Sequence, residues 1–225
     1  MAGPDWSDDA PGDAPRFAVN VARALAEAAQ QAAARAVLTE FDLKGWHSTL
    51  YEGCDVPSPA YIGRFRGEAH PDLVDYEVGV GPLMPDGLPD RLGVWASEVG
   101  LQAAEFLARL RLALGALDGA VAHGARPSTV DELREVVAVV AIAHGELLRI
   151  HPFVNGNGRT ARLLAANVSL RYGLPAFVTL KPRPLAVAYA RASRQSMGRP
   201  PAFIGDHTEA TAVFTHLLAL QLLGP

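Results

Sequence analysis

Apolar positions recur at helical spacing over two long stretches of this chain, with an irregular segment between them. From Phe17 to about Asp42, alanine-dense sequence with apolar residues every three or four positions predicts one or two helices. The same periodicity returns at Leu92 and runs to the end, broken near Gly124–Pro127, around His151–Gly158 and around Pro175–Pro184. Between Gly53 and Asp90 the character changes. Pro57, Pro59, Pro71, Pro82, Pro85 and Pro89 punctuate short β-prone pieces such as Tyr76–Val80, so a loop-rich segment with a small hairpin is expected. Residues 1–15, rich in Pro, Gly and Asp, read as a flexible leader.

The helix boundaries around one corner are legible. Ser128-Thr-Val-Asp131 follows Pro127 and has the form of a capping box. The helix it opens runs through Val136, Val140, Ile142, Leu147 and Ile150, and its apolar content predicts burial in the core. It must end at His151, because the residue before a proline avoids the α region. A second helix is expected from near Gly158 through Ala161, Leu164, Ala165, Val168 and Tyr172, with Gly173 as its C-terminal stop. The corner reads Ile150-His-Pro-Phe-Val-Asn-Gly-Asn-Gly-Arg-Thr-Ala-Arg162.

That corner carries chemistry. The first amides of a helix lack internal partners and, with the helix dipole, make an anion site, while glycine lets a phosphate approach the backbone. Arg159 and Arg162 add forked donors suited to phosphate oxygens. His151 could face the same spot as a proton acceptor near neutral pH. The combination points to phosphoryl or nucleotidyl transfer to a hydroxyl. There is no Gly-Lys-Ser/Thr of a P-loop, nor a strand leading into Gly-x-Gly-x-x-Gly.

Composition narrows the setting. The 225 residues are 49% hydrophobic and 20% charged with a net charge of −4, a globular balance without the basic track of a nucleic-acid binder. One cysteine, Cys54, cannot form an internal disulfide, which fits a reducing cytosol and an inert small residue. The N-terminus lacks the pattern of a signal peptide, and the runs Val136–Ala143 and Val213–Leu223 are shorter than the roughly 18 apolar residues of a membrane span. A cytoplasmic protein with no membrane or nucleic-acid partner is expected. His123, His144, His207 and His216 share no ligand spacing and read as structural or surface residues.

His151 to Arg162 resembles the Fic motif, His-x-Phe-x-Asp/Glu-Gly-Asn-Gly-Arg-x-x-Arg, and the resemblance extends roughly from Glu40 to Gly205. It implies an all-α, Fic-like helical bundle with a small β-hairpin flap, organised as a leader (1–15), N-terminal helices (16–60) and a core (61–225) with the flap near 63–90. It implies transfer of AMP from ATP to a Tyr, Ser or Thr hydroxyl of a target protein, with Mg²⁺ bridging the phosphates; a homodimer is allowed. His151 would be the general base and Phe153 the anchor of the loop. Gly156, Asn157 and Gly158 would form the anion hole, and Arg159 and Arg162 would hold the phosphate chain. Ser48-Thr-Leu-Tyr-Glu52-Gly53 resembles the inhibitory pattern Ser/Thr-x-x-x-Glu-Gly that precedes the core in self-restrained relatives, so Glu52 would pair with Arg162 and occupy the γ-phosphate position. The segments Gly63–Arg66, Tyr76–Val80 and Gly81–Pro85 resemble the flap that registers a target by β-pairing. Tyr189 stands where relatives place an aromatic near the nucleotide base.

Asn155 is the one departure, occupying the acidic position that would hold Mg²⁺. A neutral amide supplies an oxygen but no charge, so metal binding should weaken. Three outcomes are open: slow adenylylation, use of another nucleotide or phospho-donor, or nucleotide binding without transfer. We expect a protein adenylyltransferase restrained by Glu52, because the base, the anion hole and both arginines are intact.

Overall fold

The computed structural model describes Trp6 and residues 13–79, 92–184 and 187–224. Among the described residues seven α-helices follow one another: α1 (Ala14–Ala33), α2 (Glu40–Tyr51), α3 (Val99–Ala120), α4 (Val130–Ile150), α5 (Asn157–Arg171), α6 (Val187–Met197) and α7 (Thr208–Leu223). Single 3₁₀ turns stand at Pro59–Tyr61 and Ala96–Glu98. Among the described residues the strand-like pairing is one antiparallel bridge, Val78 with Leu92. The expected flap is therefore not shown as a hairpin: residues 63–79 form turns, and 80–91 lie outside the described residues. Most of the predicted leader lies outside them too, but Trp6 packs edge-on to Tyr51, with ring centroids 4.8 Å apart.

Local chemistry sets the ends of the helices. Thr39 accepts a hydrogen bond from the Asp42 amide while the Asp42 carboxylate takes the Thr39 N–H, and α2 starts there. Thr129 and Glu132 make the same reciprocal pair for α4, one residue beyond the Ser128–Asp131 reading. The Ser128 N–H also donates to Glu132, at 2.6 Å, so serine joins the cap without being the capping residue. Proline at 152 does end α4, and His151 takes up a left-handed conformation (φ 54°) as its C-cap.

Helix α4 is the hub, with α3, α5, α6 and α7 packed around it. Val136, Val140, Leu147 and Ile150 are buried, while Ile142 reaches the surface on the helix's one open side. Helix α5 is sandwiched between α4 and α1. Its Ala161, Ala165 and Ala166, and Ala24 and Ala28 of α1, are fully enclosed, and such small side chains let the backbones approach closely. Asn167 then donates across the seam to the Ala28 carbonyl at 2.8 Å. No helix among the described residues is long and apolar enough to cross a membrane.

Arg66, from the loop after α2, is wholly buried at the end of α4. Its guanidinium donates to the carbonyls of Ile150 (2.9 Å), His151 (2.6 Å) and Val94 (2.5 Å), and pairs with Glu77 at 3.1 Å. Helix C-terminal carbonyls have no partner in their own helix, so this side chain supplies what the backbone cannot. Replacing it by an isosteric apolar group, Arg66→Met, should cost about 3 kcal/mol through orphaned buried carbonyls. Chemical denaturation of the two proteins measures the difference, and an unchanged midpoint would rule out the clamp.

Candidate active site

Every feature of the site follows from how the chain turns between α4 and α5. His151 caps α4, and its Nδ1 lies 3.2 Å from the Leu148 carbonyl, an atom that can only accept. Nδ1 therefore carries the proton and Nε2 carries the lone pair. Burial, with the Arg66 charge adding to it, pushes the His151 pKa down to about 4, so the ring is neutral at physiological pH. A neutral imidazole with its lone pair on Nε2 is the form a general base requires.

Phe153 then dives into the core and stacks on the His47 ring, centroids 3.9 Å apart and planes 12° from parallel. His47 accepts the Gly63 N–H on Nδ1 (3.0 Å), so its Nε2–H donates to the Asn155 carbonyl (3.0 Å). One buried ring thus ties α2 to the loop. Its pKa falls to about 4, mainly from burial, so this neutral tautomer is fixed. The sequence offered one signal for it: a histidine on the apolar face of α2, beside Trp46 and Leu50.

Gly156 N-caps α5 with φ 78°, and a Cβ there would stand 2.5 Å from the Tyr51 ring, so glycine is required. Its own N–H is taken by the Asn155 side-chain oxygen at 2.6 Å. Asn157 faces inward: its amide brackets Phe153, accepting that N–H and donating to that carbonyl, both at 2.8 Å. The Gly156 N–H and the Asn157 side chain are thus spent within the turn, and the Asn157 and Gly158 N–H groups are the ones that a helix start leaves without an internal partner.

A cleft of about 570 Å³ opens in front of this helix end, lined by His151, Asn155 to Arg159, Arg162, Leu180 and Lys181 to Arg183. Arg162 is anchored by the Leu180 carbonyl (3.2 Å) and the Tyr189 hydroxyl (3.4 Å). Arg159 donates to the Tyr51 hydroxyl at 2.9 Å and lies 4.5 Å from the Phe17 ring centre. Burial and the neighbouring Arg162 lower the Arg159 pKa to about 10, which still leaves it charged. A second cavity of about 510 Å³ shares His151, Gly158, Arg162 and Arg183 and continues toward Val187, Tyr189 and Met197. Tyr189 lines it, but its hydroxyl also bridges Arg162 and His144 (2.9 Å), a task that the reading as a base contact did not foresee. Burial holds His144 neutral, with its pKa at about 3.

One expectation is corrected here. Glu52 does not meet Arg162. It caps the end of α2, is mostly exposed, and pairs with Arg23 of α1. The other residues of that pattern are in structural use, Ser48 packing beneath Gly63 and the Gly53 carbonyl accepting from Arg16. The physical reason is direction: α2 delivers Tyr51, not Glu52, to the loop. Asn155 was expected as a weak metal ligand. Asn155 spends its oxygen on Gly156 and its nitrogen on the Trp6 carbonyl (2.7 Å), and the described residues contain no cluster of three His, Cys, Asp or Glu. This donor set does not suit Mg²⁺ held by the protein.

His47 and His144, shut from solvent, have folded values below the ordinary 6.5. Their contribution to stability is complete above that pH and is lost as the pH falls from there toward their folded values. Thermal unfolding at pH 7.5 and 4.5 should reveal a loss of roughly 2 kcal/mol for each ring. In proton NMR the ring resonances of His47, His144 and His151 should stay fixed between about pH 8 and 5.5. A His151 midpoint near 6.5 would contradict the neutral-base geometry.

Comparison with known proteins agrees with this geometry. The profile of the Fic/DOC family matches residues 37–168. Protein adenylyltransferase Fic of Drosophila virilis is 40% identical over 77 residues, 33% of this chain and 16% of that protein. The Drosophila melanogaster protein of the same name gives the same identity and coverage, so the match spans about a sixth of these relatives. A Fic domain containing signaling protein from Bacteroides thetaiotaomicron VPI-5482 has the same fold, with a TM-score of 0.63 at 19% identity over 92% of this chain and 69% of that one. The chain belongs to the Fic/DOC family.

Proposed function

We propose that this protein is a nucleotidyltransferase that moves AMP from ATP to a Tyr, Ser or Thr hydroxyl of a target protein. The observation that carries the reading is the neutral His151, lone pair on Nε2, at the rim of a cleft lined by the α5 N-terminus and two arginines. Support also comes from the protein adenylyltransferase relatives, whose activity is this chemistry.

In the reaction the target's hydroxyl oxygen attacks the α-phosphorus of ATP. Its proton passes to His151 Nε2, the bond from the α-phosphorus to the bridging oxygen breaks, and pyrophosphate leaves with the bonding electrons. The Asn157 and Gly158 amides and Arg162 would stabilise the charge that develops on the phosphate oxygens, the effect that oriented donors supply best. Glu52, paired with Arg23, takes no part in these contacts. The adjoining cavity beside Tyr189 and Met197 has the apolar walls a nucleoside needs.

Incubation with ATP labelled on the α-phosphate, in the presence of lysate proteins, tests this. Wild type should transfer label, and His151→Ala should lose at least about a hundredfold, the usual worth of a general base. Tyr189→Phe removes an anchor of Arg162 and should raise KM for ATP several-fold with little change in kcat. Transfer that is indifferent to His151→Ala would refute the assignment.

A further inference from the structure

The cleft that the proposed function assigns to ATP has an unusual charge balance. Four cations line it, Arg159, Arg162, Lys181 and Arg183, and no aspartate or glutamate does so among the described residues. Fic-type sites as read from the motif count an acidic residue plus Mg²⁺ at position 155, and here an asparagine stands there with both amide atoms committed to Gly156 and Trp6. An amide whose oxygen already accepts a short backbone hydrogen bond is a poor ligand for a small, strongly hydrated dication.

Lys181 and Arg183 lie on the opposite wall, in the segment that follows Leu180. The Leu180 carbonyl accepts from Arg162, which holds the start of this segment against the cleft. Lys181 Nζ lies 5.1 Å from the centre of the Phe17 ring, which the Arg159 guanidinium also approaches, at 4.5 Å. The two side chains bring two positive charges to the cleft, equal to the charge of one Mg²⁺.

We propose that Lys181 and Arg183 take over the charge compensation of a divalent ion, so that this protein binds a nucleoside triphosphate without a metal. The proposal rests on the reading of the cleft as a polyphosphate site, and it names how that site offsets the charge of its ligand. Four cations in the lining, with no aspartate or glutamate there among the described residues, suit a phosphate chain. An added Mg²⁺ would compete with those cations for the phosphate oxygens instead of assisting them. Charge-assisted hydrogen bonds from ammonium and guanidinium groups to phosphate are strong enough to fill this role.

Titration calorimetry of the purified protein with ATP, and with pyrophosphate, in EDTA and in excess Mg²⁺ decides the matter. In EDTA the wild type should bind ATP with a Kd within about threefold of its value in Mg²⁺. The double substitution Lys181→Ala/Arg183→Ala, both at exposed positions, should weaken binding in EDTA by about tenfold or more. Asn155→Asp should weaken binding in EDTA, by repulsion, and make it recover with Mg²⁺. Binding of ATP only with Mg²⁺ would overturn the inference while leaving the cleft as a phosphate site. Equal affinity of wild type and the double variant in EDTA would also overturn it. Failure of both ATP and pyrophosphate to bind under either condition would remove the reading of the cleft itself, and the inference with it.

Discussion

Helix α4 ends in carbonyls that its own backbone cannot satisfy, and Arg66 satisfies two of them. That contact fixes more than a helix end. His151 stands at the C-cap with a positive φ, and the Arg66 charge beside it helps keep the imidazole neutral. Gly93 lies against the same place, where a Cβ would come within 2.3 Å of the His151 Cβ. His151 is thus held by a carbonyl, a guanidinium and a backbone that comes as near as glycine allows.

The second constraint comes from α2. His47, stacked on Phe153 and bonded to Asn155 and Gly63, joins three pieces of chain that are far apart in sequence. Tyr51, one helical turn further, presses on Gly156 and holds Arg159. One face of one short helix therefore sets the shape of the loop, the conformation of its N-cap glycine and the pose of an arginine. Residues 48–53 match a regulatory pattern, yet they serve this structural purpose. A six-residue pattern does not specify which side of a helix its acidic residue leaves from, and here Glu52 leaves toward α1.

Much of the corner was legible because its signals are local. A proline fixed the end of α4, and glycines and a capping box fixed the neighbouring boundaries, since each acts through the backbone within four residues. What escaped the sequence was non-local. The tasks of His47, Arg66 and Tyr189 depend on partners 108, 84 and 27 positions away, and no periodicity reports such a distance. The inward turn of Asn157 was hidden for a related reason. A polar residue at a helix start reads as a ligand donor, whereas here it satisfies the Phe153 backbone that burial would otherwise leave unpaired.

Phe17 shows how the N-terminal helix enters the site. Its buried ring lies under both the Arg159 guanidinium and the Lys181 ammonium. Burial and the nearby Arg162 lower the Arg159 pKa, so holding this charge here costs free energy that the ring face partly offsets. Helix α1 is therefore more than a lid on α5, because its Phe17 ring stands against two of the cations that line the cleft.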